Sequence, residues 1–313
     1  MEHPNNTSKR IVLIGGTGFI GQKLAEKLGD ENNVVVVART LPKNVQEGIT
    51  FTQAHFGNRD EMDSVLSKGD IVVHLACSTI PATSEANRAK DIEENVVATV
   101  NLLESCVKNG VEKFVYVSSG GTVYGDHGKN ILSEEALCAP VSAHGAMKLS
   151  IEQYVGMYHR QFGLPYIIVR PGNVYGRDFE PGREQGAIEV FLSCALRGEP
   201  INIWGDGNVT RDYVHVDDVA EFFVRILKDD VVNDTYNVGS AEGTSLNEIV
   251  KLIEEVTGTH VPAHAFAYTA SRAFDVPYIV LDTSKAKRQL GWSPKRSLKD
   301  GLGGYYQQIR SRQ

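Results

Sequence analysis

The stretch IVLIGGTGFIG, residues 11–21, decides the fold of this chain. It opens with four consecutive apolar residues, which is typical of a buried strand in a parallel sheet. Glycines at positions 15, 18 and 21 follow, and an amphipathic helical pattern begins there. Such glycines let the backbone approach a pyrophosphate closely, while the amides at the helix start face its negative charge. We therefore predict a dinucleotide-binding turn formed by Gly15, Gly18, Phe19, Ile20 and Gly21.

Apolar strands recur downstream, at residues 34–37, 71–77, 113–117 and 166–170, and helical patterns separate them, including one long helix over residues 91–109. Strands that alternate with helices form a parallel sheet with helices on both faces. The polar, glycine- and proline-bearing residues 177–186 indicate the entrance to a second domain. We predict an α/β fold. It comprises a Rossmann-type doubly wound parallel sheet in residues 1–173 and a smaller α/β C-terminal substrate domain in residues 174–313, some segments of which return to the first.

Composition narrows the class of protein. The 313 residues are 42% hydrophobic, which is enough for a large core, and no apolar run approaches the roughly 20 residues of a membrane span. Residues 1–10 are polar and lack the apolar core of a secretion signal. A net charge of −7 argues against a nucleic-acid surface, and four cysteines without paired spacing indicate reduced thiols. We expect a cytoplasmic protein that binds no metal, membrane or nucleic acid.

The sequence leaves the nicotinamide cofactor open between NAD and NADP. An acidic residue after the second strand usually accepts from the adenosine ribose hydroxyls, but here Arg39 follows that strand. Arginine suits a 2′-phosphate, which favours NADP, although an exposed surface arginine is equally consistent. Asn58 is a candidate for the adenine edge or a simple turn residue. Leu75 and Ala76 follow a strand whose His74 we expect in the core, and they are suited to line the cofactor.

Three further motifs follow in order: SSGGTVYG at 118–125, RPGNVYG at 170–176 and RDYVHVDD at 211–218. With the glycine turn, they resemble the extended short-chain dehydrogenase/reductase family. The resemblance is strongest to its NAD-dependent epimerases and dehydratases of sugar nucleotides, such as UDP-glucose 4-epimerase, and it covers nearly the whole chain. It implies that Asn173, Arg211 and Arg272 hold the substrate diphosphate. Forked, permanently charged donors suit two phosphates on an acidic protein, while surface ion pairs are the alternative reading of each arginine.

The resemblance also implies where protons move. The family uses a tyrosine, a lysine four residues later and a hydroxyl after the preceding strand. Lys148 fits the lysine, and its ammonium would bind the nicotinamide ribose. His144 stands at the tyrosine position and Gly120 at the hydroxyl position, which leaves Thr122 first and Ser119 second as substitutes. Imidazole, with an ordinary pKa of about 6.5, is a competent base near neutral pH, but it is shorter than a phenol by roughly 2 to 3 Å.

The implied activity is that of a sugar-nucleotide 4-epimerase. Hydride leaves the sugar C4 for the nicotinamide, a base takes the O4 proton, and the 4-keto sugar turns over before the hydride returns. An NADP-dependent 4-keto-deoxysugar-nucleotide reductase and a catalytically weakened nucleotide-binding homologue are the alternatives. His144 is compatible with a working but altered site, a weakened enzyme or a binding-only protein. A UDP-sugar or related nucleotide sugar is the expected partner, and the family suggests a homodimer.

Overall fold

The computed structural model describes residues 9–40, 48–177, 186–228, 231–261, 266–272 and 275–311. Most of the predicted polar tail, residues 1–8, and residues 178–185 of the predicted domain entrance lie outside this part. The chain forms two compact units. Unit 1 takes its residues from Met1–Ser118, Ser142–Val169 and Phe223–Tyr236, and unit 2 from Ser119–Val141, Arg170–Phe222 and Asn237–Gln313. The predicted division had its main boundary after residue 173, whereas the observed chain first passes between units after Ser118. Substrate binding by the second unit stays a prediction.

A seven-stranded sheet forms the framework of unit 1. Its strands are β1 (Arg10–Ile14), β2 (Asn33–Ala38), β3 (Ile49–Gln53), β4 (Ile71–His74), β5 (Lys113–Val117), β7 (Tyr166–Pro171) and β11 (Asp234–Val238). Their spatial order is β11-β7-β5-β4-β1-β2-β3. Every pairing from β7 across to β3 is parallel. This order confirms the predicted Rossmann-type sheet. The strands β2 and β3 are added on one side of β1, and β4 and the later strands are added on its other side.

Helices connect these strands because each crossover between parallel strands needs a covering element. They are α1 (Phe19–Gly29), α2 (Arg59–Val65), α3 (Pro81–Ala86), α4 (Arg88–Asp91), a π-helical segment (Ile92–Val97), α5 (Ala98–Asn109) and α6 (Ala143–Phe162). Apolar side chains of the sheet and of the helices that cover it form a buried cluster, which includes Val12, Val72 and Phe114. The predicted long helix over residues 91–109 is confirmed as continuous helical structure, which begins at Arg88 and is π-helical over Ile92–Val97.

Unit 2 has its own sheets and core. Its strands are β6 (Ile131–Leu132), β8 (Asn173–Tyr175), β9 (Ile201–Trp204), β10 (Thr210–His215), β12 (Gly243–Ser245), β13 (Phe266–Thr269) and β14 (Tyr278–Leu281). β10 pairs with β8, β12 and β14, and β9 pairs with β13. The helices of this part of the sequence are α7 (Ala187–Arg197), α8 (Val216–Lys228), α9 (Leu246–Thr257), α10 (Ser284–Leu290) and α11 (Leu298–Ser311). Among the described residues, no helix combines the length and apolar character needed to cross a membrane.

Candidate functional site

The glycine turn after β1 has the tight geometry that its spacing predicts. Gly15 has a φ of +81°, and a Cβ at this position would lie 2.8 Å from the backbone N and Cα of Ala76. The Gly15 amide donates to Val37 O over 2.8 Å, and the Gly18 amide donates to Gly15 O over 3.0 Å. Only glycine combines this backbone conformation with such close approach. The turn therefore leaves free the space that a side chain would otherwise fill.

The start of α1 offers a suitable place for an anion. Gly18 is the N-cap residue and carries no side chain that could cap the helix, and the first turn contains no acidic residue. The backbone amides at a helix start that no side chain caps, together with the helix dipole, attract negative charge. Phe19 and Ile20 are the first helical residues, as predicted. A pyrophosphate placed here would meet backbone donors without meeting a competing carboxylate.

A cavity of about 290 Å³ opens where β1, β2 and β4 end. Its walls come from the glycine turn, the end of β2 and the loop after β4. The lining residues are Ile14, Gly15, Thr17, Gly18, Val37, Ala38, Arg39, Ala54, Phe56, Leu75, Ala76, Cys77 and Ser78. The cavity lies at the carboxyl ends of the strands and at the point where the strand order reverses, where ligands of such sheets bind. Its position and its glycine-lined wall fit a dinucleotide.

Arg39 lies at one end of this cavity with its side chain exposed. Its backbone carbonyl accepts a hydrogen bond from the side-chain Nε2 of Gln53 over 3.0 Å. In the described part of the chain, its guanidinium makes no hydrogen bond or ion pair. The end of β2 thus presents an uncommitted cation where a carboxylate would contact the ribose hydroxyls of NAD.

Replacing Arg39 with alanine should weaken NADP binding roughly tenfold while changing NAD binding by less than about twofold. Only NADP carries the 2′-phosphate, so the lost charge-assisted contact affects one cofactor alone. Calorimetric titration with both dinucleotides measures the two dissociation constants. Arg59→Ala is the matched control, because Arg59 is an exposed arginine that pairs with Glu104 away from the cavity lining. Equal weakening of NAD and NADP by Arg39→Ala would contradict this role.

The structure gives Asn58 a different role from the predicted adenine contact. Asn58 is the N-cap of α2, where its Oδ1 accepts from the Glu61 amide and its Nδ2 donates to Glu61 Oε1 over 2.7 Å. It does not line the cavity, whereas Phe56 does. An adenine contact by Asn58 therefore has no support from its placement. His74 is buried as predicted, and burial lowers its pKa to about 3.

Three polar residues that the sequence pattern did not single out hold the loop after β4. The Asn95 Oδ1 accepts from the Ser78 amide over 2.8 Å, and its Nδ2 donates to Asp91 Oδ1 over 3.0 Å. Thr79 also donates its hydroxyl to Asp91. Asn95 lies in the π-helical segment, a type of distortion that is frequent at functional sites. The sequence signal for this role was the position of Asn95 on an apolar helical face, because a side-chain amide buried there needs hydrogen-bond partners.

Lys148 is buried at the end of β5, as its predicted place beside a nicotinamide requires. Its Nζ donates to Val117 O over 2.9 Å and lies 5.2 Å from the centre of the Tyr116 ring. The neighbouring Ser118 donates its hydroxyl to Glu152, which supports a structural role for this serine. The ammonium is thus fixed beside β4 in the sheet, and β4 leads directly into the cavity wall.

His144 lies one helical turn before Lys148 on α6 and is 8% exposed. Its Nδ1 is 3.4 Å from the hydroxyl oxygen of Ser84. Burial, with a smaller contribution from the positive charge of Lys148, lowers the pKa of His144 to about 4, against an opposing effect of Asp91. The imidazole is therefore neutral at physiological pH and able to accept a proton.

The turn after β5 belongs to unit 2 and presents the predicted hydroxyls. The amides of Thr122 and Val123 donate to Ser119 O, which closes the turn. The Thr122 hydroxyl is buried and has no hydrogen-bond partner among the described residues. A Cβ at Gly120 would lie 2.7 Å from Leu281 Cδ1 and 3.0 Å from Arg170 O, so a hydroxyl-bearing residue there would require the Leu281 side chain to shift.

The predicted substrate residues belong to the same unit: Asn173 and Arg211 lie on the paired strands β8 and β10, and Arg272 lies in the segment after β13. Asn173 starts β8, and its Oδ1 would lie 3.3 Å from a Cβ on Gly121, so it lies over the turn. Arg272 donates twice to Asp275, over 2.8 and 2.9 Å, and Arg211 approaches the same carboxylate at 4.0 Å. The Arg272 guanidinium also lies 5.1 Å from the Trp204 ring centre. The structure thus brings the two arginines together around one carboxylate, which is the ion-pair arrangement given above as the alternative reading, and their contact with a diphosphate stays a prediction.

Comparison with known proteins places this geometry in a family. The family model described as the NAD dependent epimerase/dehydratase family matches residues 11–239. The chain is 32% identical to UDP-glucose 4-epimerase of Mycolicibacterium smegmatis, over 94% of this chain and 96% of that protein. It is 30% identical to dTDP-4-dehydro-6-deoxyglucose reductase of Escherichia coli, over 96% and 97%. It also resembles the crystal structure of Thermotoga maritima UDP-glucose 4-epimerase with UDP-glucose, with a TM-score of 0.89, 34% identity and coverage of 97% and 99%.

Proposed function

The chain belongs to the NAD dependent epimerase/dehydratase family, and we propose that it is a sugar-nucleotide 4-epimerase that works through a 4-keto intermediate. The observation that carries the proposal is the buried pair on α6. Lys148 is fixed at the end of β5, and His144 stands one turn earlier in its neutral form. A base and a fixed ammonium in this order supply what reversible oxidation of a sugar hydroxyl needs from a protein.

The cavity is the cofactor side of the proposed site. Gly15, Gly18 and the start of α1 would hold the pyrophosphate, Leu75 and Ala76 would lie against the dinucleotide, and Lys148 would bind the nicotinamide ribose. The bound nicotinamide supplies a hydride acceptor that can return the hydride to the same carbon. Burial, and to a smaller extent the ammonium of Lys148, keeps His144 in the neutral form that can accept the O4 proton, and the same lowered pKa makes the imidazole a weaker base than a free histidine.

We propose that residues of unit 2 bind the substrate. Arg211 and Arg272 would hold the diphosphate, and Asn173 would contact it beside the turn. The unpartnered Thr122 hydroxyl is our first candidate for a hydrogen bond to the sugar, with Ser119 as the second. Anchoring the diphosphate alone leaves the sugar free to turn over, as epimerisation requires. The solved relative with UDP-glucose supports a UDP-sugar or related nucleotide sugar as the partner.

The length of imidazole limits how His144 can act. Its tip ends roughly 2 to 3 Å closer to the backbone than a phenol oxygen, and direct proton transfer needs a contact of about 2.6 to 3.2 Å. We therefore propose that a bridging water, or a sugar bound closer to α6, completes the path of the proton.

The cytoplasmic location and the homodimer are also part of the proposal. The exposed apolar side chains of Val97 and Phe162 support the homodimer.

A second candidate is an NADP-dependent reductase of a 4-keto-deoxysugar nucleotide. The uncommitted guanidinium of Arg39 favours it, because a reductase consumes NADPH and a 2′-phosphate needs a cation. The similarity to a dTDP-4-dehydro-6-deoxyglucose reductase supports the same class. A reductase must exchange its cofactor after each turnover, whereas an epimerase regenerates it in place.

One assay distinguishes these functions. Purified protein is incubated with UDP-glucose, UDP-N-acetylglucosamine or a 4-keto-deoxysugar nucleotide, with and without NADPH, and the products are followed by chromatography. We expect interconversion of 4-epimers without net consumption of cofactor. Stoichiometric NADPH oxidation would replace the epimerase with the reductase. If neither reaction occurs, His144→Tyr is assayed next, since recovered turnover would identify a disabled enzyme and continued silence a nucleotide-binding protein.

A further inference from the structure

Ser84 is a buried hydroxyl that the family motifs do not include, yet it lies against the central residue of the proposed site. It is 0% exposed and sits in α3, 60 residues before His144 in the sequence. Its Oγ is 3.4 Å from His144 Nδ1. Both residues belong to unit 1, so the contact is internal to one compact body. A buried hydroxyl beside a ring nitrogen determines which nitrogen carries the proton, since a neutral imidazole has one donor and one acceptor.

The adjacent residue shows that α3 is held against the start of α6. Glu85 Oε1 accepts from the Ala143 amide over 2.6 Å, at the first residue of α6. This hydrogen bond is the main cause of the lowered pKa of Glu85, so the carboxylate is charged and the contact is charge-assisted. Two consecutive residues of α3 therefore contact two consecutive residues of α6. The Ser84 hydroxyl is positioned by this second attachment and not by its own contact alone.

The segment that leads from the cofactor cavity to α3 is also fixed. Ser78, which lines the cavity, is held by Asn95, and Thr79 is held by Asp91. The Thr83 hydroxyl bonds both backbone groups of Ile80 at the start of α3. Each of these hydrogen bonds joins a side chain either to a backbone group or to another side chain, and all of them lie within unit 1. Because these hydrogen bonds restrain the segment that carries it, the Ser84 hydroxyl has little freedom to move away from the imidazole of His144.

We propose that Ser84 is the positioning residue of His144: its hydroxyl oxygen accepts the Nδ1–H, so that Nε2 is the nitrogen that takes and returns the sugar O4 proton. The inference rests on the proposed epimerase function. In the oxidising half, the proton moves from O4 to Nε2 and the ring becomes an imidazolium, while C4 would lose its hydride, with both electrons, to the bound nicotinamide. In the return half, the same proton goes back from Nε2 to O4. The Nδ1–H to Ser84 hydrogen bond persists throughout, so the ring does not need to flip between the two halves.

The test reads the imidazole directly by ¹⁵N NMR of the full-length protein labelled on its histidine rings. The resonances of His144 are those that disappear in His144→Asn. At neutral pH, we expect a protonated-type Nδ1 and an unprotonated-type Nε2 in the natural protein. Ser84→Ala should move the proton to Nε2 or give a mixture of tautomers. An unprotonated Nδ1 in the natural protein, or an unchanged pattern in Ser84→Ala, would overturn the proposal whether or not the protein turns over substrate.

Kinetics gives the second readout. Ser84→Ala should lower kcat roughly tenfold with KM for the sugar nucleotide within about twofold, because the ring is misoriented while the substrate anchors are intact. Ser105→Ala is the matched control, since Ser105 is also a helical serine with 0% exposure and its polar neighbour is Asp63. This control should change neither kcat nor the His144 spectrum. If the natural protein shows the expected tautomer but no epimerase activity, the proposed function fails and the positioning of His144 by Ser84 stands.

Discussion

Replacing His144 with asparagine should lower kcat for sugar-nucleotide interconversion by roughly 10²- to 10⁴-fold, the usual contribution of a general base. Binding of the dinucleotide and of UDP should stay within about twofold, because His144 is not among the residues proposed to hold either. Asparagine keeps a polar group near the Nδ1 position, where Ser84 lies 3.4 Å away. It lacks a titrating nitrogen, so the change removes the base without emptying the site. Product formation at saturating substrate measures the effect.

His159→Asn is the control for this experiment. His159 stands near the other end of α6, and its Nδ1 lies 3.2 Å from Leu164 O. The same substitution on the same helix should therefore leave kcat unchanged, apart from a small loss of stability. If His144→Asn retained kcat within about threefold of the natural protein, proton transfer would have to be assigned to another group. Tyr116 is a poor replacement, since burial raises its pKa well above the ordinary value and its hydroxyl has no partner among the described residues.

The pH dependence of the same reaction follows from the environment of His144. Its pKa is lowered from 6.5 to about 4, so the neutral, proton-accepting form is retained as the pH falls through 6.5 and is lost only near 4. We expect activity at pH 5 to be close to that at pH 7. An ordinary histidine would be mostly protonated at pH 5 and would lose most of its capacity as a base. A half-maximal rate near pH 6.5 would show that the imidazole is not in the buried environment described above.

The cofactor half of the site was predictable because its determinants are local in the sequence. Four apolar residues followed by glycines at positions 15, 18 and 21 restrict one strand, one turn and one helix start, and the strand order then places them at the cavity. Leu75 and Ala76 followed by the same reasoning, since they continue a parallel strand beyond its carboxyl end. The lysine on α6 was predicted by a different route, from the resemblance to a family that uses a lysine four residues after its tyrosine, so this prediction did not come from the local sequence pattern.

The determinants that sequence reasoning missed depend on contacts between distant segments. Ser84 meets His144 across 60 residues, and no periodicity in a helix of six residues indicates that its one serine will face α6. Asn95 turns inward from a π-helical segment, which regular helical spacing does not anticipate. Asn58 was left open between an adenine contact and a simple turn residue, because both favour an amide, and in the structure it forms the N-cap of α2. Residue type alone did not separate these two roles.

Replacing Gly21 with alanine should abolish cofactor binding at micromolar dinucleotide and lower the free energy of unfolding. A Cβ at Gly21 would lie 2.6 Å from Gly16 Cα and 2.7 Å from the Gly16 carbonyl carbon and oxygen. All three atoms are backbone atoms of the turn, so the contact is relieved only by moving the turn that forms the cavity wall. Overpacking of this kind costs about 1 to 3 kcal/mol, and a displaced turn should weaken binding on the order of 100-fold. Dinucleotide titration and chemical unfolding measure the two effects.

Two opposing terms decide the sign of this prediction, and Gly29 separates them. Alanine is favoured over glycine inside a helix by up to about 1 kcal/mol, so Gly21→Ala would stabilise α1 if the new methyl group met no obstacle. Gly29 ends the same helix, and a Cβ there would meet only the Ile49 side chain, at 3.5 Å, which is an ordinary contact. Gly29→Ala should therefore leave stability and cofactor binding unchanged or slightly improved. If Gly21→Ala behaved like Gly29→Ala, helix propensity would outweigh the clash, and the close packing of α1 on the turn would not be what shapes the dinucleotide cavity.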